Sequence, residues 1–166
     1  ESGTGKEQIA QFIHHHSRRA SRQLVPPAVR VVEAINPSTL FKSRKNDVEA
    51  GHVRETMAED GAAMCAFYAW FELALARAER ITEMTIDEKL SAERARRTGF
   101  VGLSFPTIAG FNANGAQPHY RATLSSFAAI EGHGLLLIDS GGQYLGGTTD
   151  ITRVWPVGTV TAAHKR

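Results

Sequence analysis

The chain has 166 residues, 42% apolar and 22% charged, proportions that exclude wholesale disorder and leave room for one ordinary domain or a piece of a larger one. With 19 Lys and Arg against 17 Asp and Glu, the formal charge is only +2, too weak to imply a nucleic-acid or membrane partner. One cysteine excludes an intrachain disulfide, and no apolar run approaches the roughly 18 residues of a membrane span.

In chain order, Ile9, Phe12 and Ile13 stand at helical spacing and Arg18, Arg19 and Arg22 follow, so Gly5 to Arg22 reads as a short peripheral helix. Gly3-Thr4-Gly5-Lys6 looks like a phosphate loop, but the earlier Gly, the Ser/Thr after Lys and a preceding strand are missing, and it reads as coincidence. His14, His15 and His16 are consecutive, point in different directions on a helix and read as solvated surface. Pro26-Pro27 breaks the helix, Ala28 to Ile35 is apolar and β-branched enough for a strand, and Asn36-Pro37-Ser38 reads as a turn, with a boundary near 37 to 42.

From Asn46 the helical period is clear. Asn46 and Glu49 form a capping-box pattern, and Val53, Met57, Met64, Tyr68, Phe71 and Leu75 predict one apolar stripe. Cys65, among Ala62, Ala63, Met64, Ala66 and Phe67, is expected to be a buried structural thiol in a reducing cytosol. Thr85 and Glu88 repeat the capping pattern and predict a second helix from Ile86 to Arg97, stopped by Gly99. After Phe100, glycines multiply and Gly134 to Ile138 and Ile151 to Trp155 read as strands. Helices first and strands after them predict an α+β fold with an antiparallel or mixed sheet.

The candidate chemistry lies in Asp139 to Asp150. A hairpin turning at Tyr144-Leu145 would set Asp139 directly opposite Asp150. Like charges that close, about 4.5 to 5.5 Å at Cβ, are destabilising unless something such as a divalent metal neutralises them. A Gly-rich surface hairpin with one Asp in a turn and the other solvated at a strand end accounts for the same spacing. His119 lies in a turn-prone stretch upstream, from which an imidazole could face the same cavity, or could be satisfied by backbone as an ordinary loop residue. His133 reads as a turn residue.

Ser104 to Ile108, Asn114-Gly115-Ala116 with His119-Tyr120, and Leu137 to Tyr144 running into Gly147 to Arg153 together resemble the cytosolic type of Xaa-Pro aminopeptidase (aminopeptidase P), in the creatinase and methionine aminopeptidase superfamily. Lys42 to Asn46 with Glu49, Asp60 to Ala62 and Phe67 to Glu72 extend the likeness, which covers roughly residues 40 to 160. The resemblance implies the N-terminal half of a pita-bread catalytic domain over residues 40–166, truncated, with 1–39 as the tail of a preceding domain or a linker. It implies a dinuclear site of two divalent metal ions, usually manganese, with Asp139 and Asp150 as two ligands. The other His and two Glu are expected beyond Arg166, because the only later His is His164 and no Glu follows.

It further implies that His119 lines the substrate site, as a catalytic and substrate-binding imidazole rather than a metal ligand, and that Thr152 and Arg153 support the ligands. The implied reaction is metal-dependent hydrolysis of the bond between an N-terminal residue and a following proline, in a cytoplasmic enzyme, a homodimer when full-length, with no nucleic-acid or membrane partner. Opening on Glu1 and stopping at Arg166, the sequence is expected to be an inactive fragment of that enzyme. The alternatives are a catalytically dead pita-bread scaffold that binds protein or nucleic acid, and nucleic-acid binding through Arg18, Arg19, Arg22 and Arg30, which lack interleaved aromatics.

Overall fold

The structure, a computed structural model, describes residues 6–18, 20–21 and 34–162. Two units divide the chain, Glu1–Arg44 and Lys45–Arg166. In the first, helix α1 (Lys6–His15) covers the front of the predicted segment, and Phe12, Ile13, His15 and His16 are exposed. Most of the strand expected from Ala28, together with Arg19, Arg22 and Arg30, lies outside the described residues, and Ala34 and Ile35 have no regular structure. The expected turn at Asn36 instead starts a helix, α2 (Pro37–Ser43): Asn36 Oδ1 accepts the Ser38 N–H at 2.9 Å, and proline in a first turn forfeits no hydrogen bond.

In the second unit, α3 (Asp47–Ala76) starts on the predicted capping box. The Glu49 N–H donates to Asn46 Oδ1 and the Asn46 N–H to Glu49 Oε2, each at 2.9 Å. Its buried stripe is Thr56, Asp60, Ala63, Met64, Phe67, Phe71 and Ala74, whereas Met57 is exposed and Tyr68 only partly buried. That stripe turns Cys65 outward, so the expectation of a buried thiol fails. Helix α4 (Glu83–Ala95) starts at Glu83 rather than Ile86, because Thr82 Oγ1 accepts the Thr85 N–H at 3.2 Å and takes the capping role from Thr85.

Past Gly99 (φ +74°) the chain is strand-rich: β1 (Phe100–Leu103), β2 (Ile108–Phe111), β3 (Gly134–Ser140), β4 (Gly142–Tyr144), β5 (Gly147–Thr148) and β6 (Ile151–Val157). They form two antiparallel three-stranded sheets, ordered β1-β4-β5 and β2-β3-β6. Leu136 and Ile138 of β3, Ile151 and Val157 of β6 and Phe111 of β2 pack with Met64, Phe67 and Phe71 of α3 and Ile86 and Leu90 of α4. Strand alternation sends Leu135, Leu137 and Asp139 to the other face, where they are partly exposed. The helices therefore cover one face of the sheet, and the candidate carboxylates rise from the other.

From β3 to β6 the chain is one long hairpin. Tyr144 pairs with Gly147, Gln143 with Thr148, Ser140 with Ile151 and Asp139 with Thr152. Its apex is Leu145-Gly146 instead of Tyr144-Leu145. Tyr144 is held within its strand by a hydroxyl hydrogen bond to Asp60 at 2.8 Å and an edge-on contact with Phe100, which moves the turn onward.

Candidate metal centre

The corrected register sets Asp139 opposite Thr152, not opposite Asp150. Asp139 is partly buried, and its Oδ1 accepts the Thr152 hydroxyl at 2.7 Å. Asp150 precedes Ile151, whose side chain enters the core, so alternation turns Asp150 to the Asp139 and Thr152 face. The two carboxylates thus share a face but stand on a diagonal, where sheet neighbours are about 7–8 Å apart. Asp150 is exposed and, among the described residues, has no hydrogen-bond or ion-pair partner.

The residue facing Asp150 in the same register is Gly141, at the bend between the two sheets. A Cβ there would run into the Thr149 carbonyl oxygen and the Ser104 hydroxyl, which are themselves bonded at 2.9 Å. The Thr149 N–H donates to the Gly142 carbonyl and the Gly142 N–H to Thr149 Oγ1, so both strands stay clamped as they cross the bend. Glycine is required by that close approach.

His119 is exposed with φ +56°, just after the 3₁₀ turn Asn112–Ala116, and among the described residues nothing links its ring to either carboxylate. Arg153 stands on the α3 side of β6, beside Tyr68 and Trp155, whose rings stack at 4.2 Å. Its tie to the site is a hydrogen bond from Nη1 to the Thr152 carbonyl at 2.8 Å. His133 accepts the Thr159 N–H on Nδ1 at 2.8 Å, as a turn residue would.

Two buried carboxylates that the sequence reading passed over organise this region. Asp60 accepts from Arg94 Nε at 2.6 Å, Arg94 Nη2 at 3.1 Å and the Tyr144 hydroxyl at 2.8 Å. Burial alone would raise its carboxyl, but the Arg94 hydrogen bond and charge, with hydrogen bonds from Tyr144 and Thr149, hold it below the ordinary value. Burial and the Asp60 hydrogen bond and charge push the Tyr144 hydroxyl the other way, so it stays a donor. Glu83, fully buried, accepts from four residues of the stretch that carries His119. The sequence signal for Asp60 was a carboxylate on an apolar helix stripe; for Glu83 there was none.

Asp139 and Asp150 are acceptor-only oxygens on an open face, the donor type that suits Mg²⁺, Ca²⁺ or Mn²⁺. Thr152 occupies one oxygen of Asp139 and none of Asp150. This donor set fits a hard divalent cation. Among the described residues no group of three or more His, Cys, Asp or Glu could hold a metal ion.

Helices packed behind antiparallel sheets make this an α+β fold of the pita-bread kind. The sequence pattern described as Metallopeptidase family M24 matches residues 51–166, and the chain belongs to that family. It is 41% identical over 131 residues to a probable Xaa-Pro aminopeptidase P of Laccaria bicolor, covering 79% of this chain and 20% of that protein. A protein of the same name from Chaetomium globosum is 38% identical over 165 residues, or 99% of this chain and 26% of the relative. The crystal structure of X-prolyl aminopeptidase from Caenorhabditis elegans, described as a cytosolic enzyme with a di-nuclear active site, superposes with TM-score 0.71 at 32% identity, over 77% of this chain and 21% of that one. The chain spans about a fifth to a quarter of the length of these curated relatives.

A second pattern, described as Sigma-54 interaction domain, matches residues 1–55. That match takes in Gly3-Thr4-Gly5-Lys6, of which residues 1–5 lie outside the described residues.

Proposed function

We propose that the protein to which this chain belongs is a metal-dependent Xaa-Pro aminopeptidase. Residues 40–166 would be the first half of its catalytic domain and 1–39 the tail of a preceding domain or a linker. The observation that carries the reading is the pair Asp139 and Asp150, set on one open sheet face within a chain of a metallopeptidase family. Asp139 and Asp150 would hold two divalent ions, of manganese, with a His and two Glu from beyond Arg166. When bound, such ions lower the pKa of water and polarise the scissile carbonyl.

The chain's own residues supply orientation. Thr152 fixes Oδ1 of Asp139 and leaves Oδ2 for a ligand, and Arg153 steadies Thr152 through its carbonyl. His119 would donate a hydrogen bond to the substrate carbonyl as charge builds there. Proline at the second position has no amide N–H, so selection rests on ring shape. The protein would act on such peptides in the cytoplasm as a homodimer, without a nucleic-acid or membrane partner, and this chain alone would be inactive.

In the complete protein, Asp139→Ala and Asp150→Ala should each abolish release of the first residue from an Xaa-Pro peptide, as should a chelator, with circular dichroism unchanged. Undiminished turnover in either variant would remove the metal assignment, and no turnover by the unsubstituted complete protein would favour a catalytically dead scaffold.

A further inference from the structure

We infer that Glu83 is the positioning residue for His119, an inference that rests on the substrate-facing role proposed for that imidazole. Glu83 is fully buried at the start of α4 and, among the described residues, no Lys or Arg is bonded to it. Its charge is met by donors alone. Oε1 accepts the Phe111 N–H at 2.7 Å, and Oε2 accepts the Ala128 N–H and the Tyr120 hydroxyl, each at 2.7 Å. Asn114 Nδ2 lies 3.0 Å from Oε1 and 3.2 Å from Oε2.

All four donors belong to residues 111–128, the connection that contains His119. Phe111 is where that connection leaves β2, and Ala128 is where it returns to α4, its carbonyl accepting the Glu83 N–H at 3.1 Å. Asn114 and Tyr120 also bond to each other at 3.0 Å, closing a loop whose exposed crest is Gln117 to His119. At the base of the same loop Gly110 meets Gly115, where a Cβ would come within 2.7 Å of the Gly115 Cα.

Burying an anion without a counter-charge is costly, and α4 is already capped by Thr82. The placement is accounted for by the loop: hydrogen bonds to an ionised acceptor are about twice as strong as neutral ones, and one carboxylate ties both ends and two interior points. Burial, then the hydrogen bond and charge of Glu83, raise the Tyr120 hydroxyl, so that it remains a donor. The left-handed backbone of His119 persists because its neighbour Tyr120 is held in this way.

The test is a double-mutant cycle of Glu83→Gln and His119→Ala in the complete protein, assayed on an Xaa-Pro peptide. Misplacing a reacting group by about 1 Å costs on the order of 100-fold, so Glu83→Gln alone should lower kcat/KM by about that factor, mostly in kcat. In the His119→Ala background the same change should have almost no effect. Equal loss in both backgrounds would overturn the inference.

A second readout needs no turnover. In the complete protein, Glu83→Gln should shift and broaden the His119 imidazole NMR signals while leaving those of His52 and His133 in place. Unmoved His119 signals overturn positioning whatever the activity. If His119→Ala leaves kcat/KM unchanged, it is the substrate role of His119 that fails, and the NMR comparison decides Glu83 by itself. Should Glu83→Gln not fold, Tyr120→Phe removes one donor and should move both readouts the same way, less far; no movement would again overturn it.

Discussion

Asp60 is a carboxylate with no access to water, and it is tolerable there only because Arg94 and Tyr144 saturate it. Breaking a buried pair by removing one partner costs about 3–5 kcal/mol, since the other charge is left uncompensated. Asp60→Asn should therefore lower unfolding free energy by roughly that amount, read from urea denaturation at neutral pH. The folded Asp60 carboxyl lies below its ordinary value of 3.8, so its contribution is present above that pH and is lost as pH falls through the lower folded value. The wild-type urea midpoint should drop more steeply below pH 4 than that of Asp60→Asn; parallel acid limbs would contradict this. The place of Asp60 on the apolar stripe of α3 is the one trace of its burial in the sequence, and Glu83 leaves none, because an isolated carboxylate on a helix is ordinarily solvated rather than buried. What separates the two cases is a partner distant in sequence: Arg94 lies 34 positions from Asp60.

At the scale of elements, the start of α3 was readable because its cap is local: Asn46 and Glu49 satisfy each other within one turn. Strands β3 and β6 were also visible as apolar runs, and their antiparallel pairing matches the expected fold class. The hairpin register was not readable, because the bond that sets it joins Tyr144 to a residue 84 positions earlier. Nor was the start of α4, which the capping pattern puts at Thr85 and which the tertiary demand on Glu83 moves to Thr82. The bend at Gly141 gives a direct check. Gly141→Ala would press a methyl group into the Thr149 carbonyl, and overpacking of this kind costs about 1–3 kcal/mol. A lowered melting temperature, with the cross-strand contacts of Thr149 and Asp150 lost by NMR, is the expected result; an unchanged melting temperature would show that the strands separate there freely.

At the scale of the whole molecule, one sheet face is filled by α3 and α4 while the other carries Leu135, Leu137, Val154 and the two aspartates, with Val154 53% exposed. Asp139 and Asp150, expected on one rung, are offset, with Thr152 opposite Asp139. The sequence reading supplied no contact for His119, whose surroundings depend on a loop folded back onto Glu83. The match at residues 1–55 runs past the boundary between Arg44 and Lys45 and overlaps the match at residues 51–166 within α3. For the second unit, the decisive quantity is metal content. The complete protein, loaded with Mn²⁺, desalted and measured by inductively coupled plasma mass spectrometry, should retain two ions per chain, and Asp150→Asn should lose at least one of them while remaining folded. Full retention of both ions by that variant would contradict the assignment of the aspartate pair.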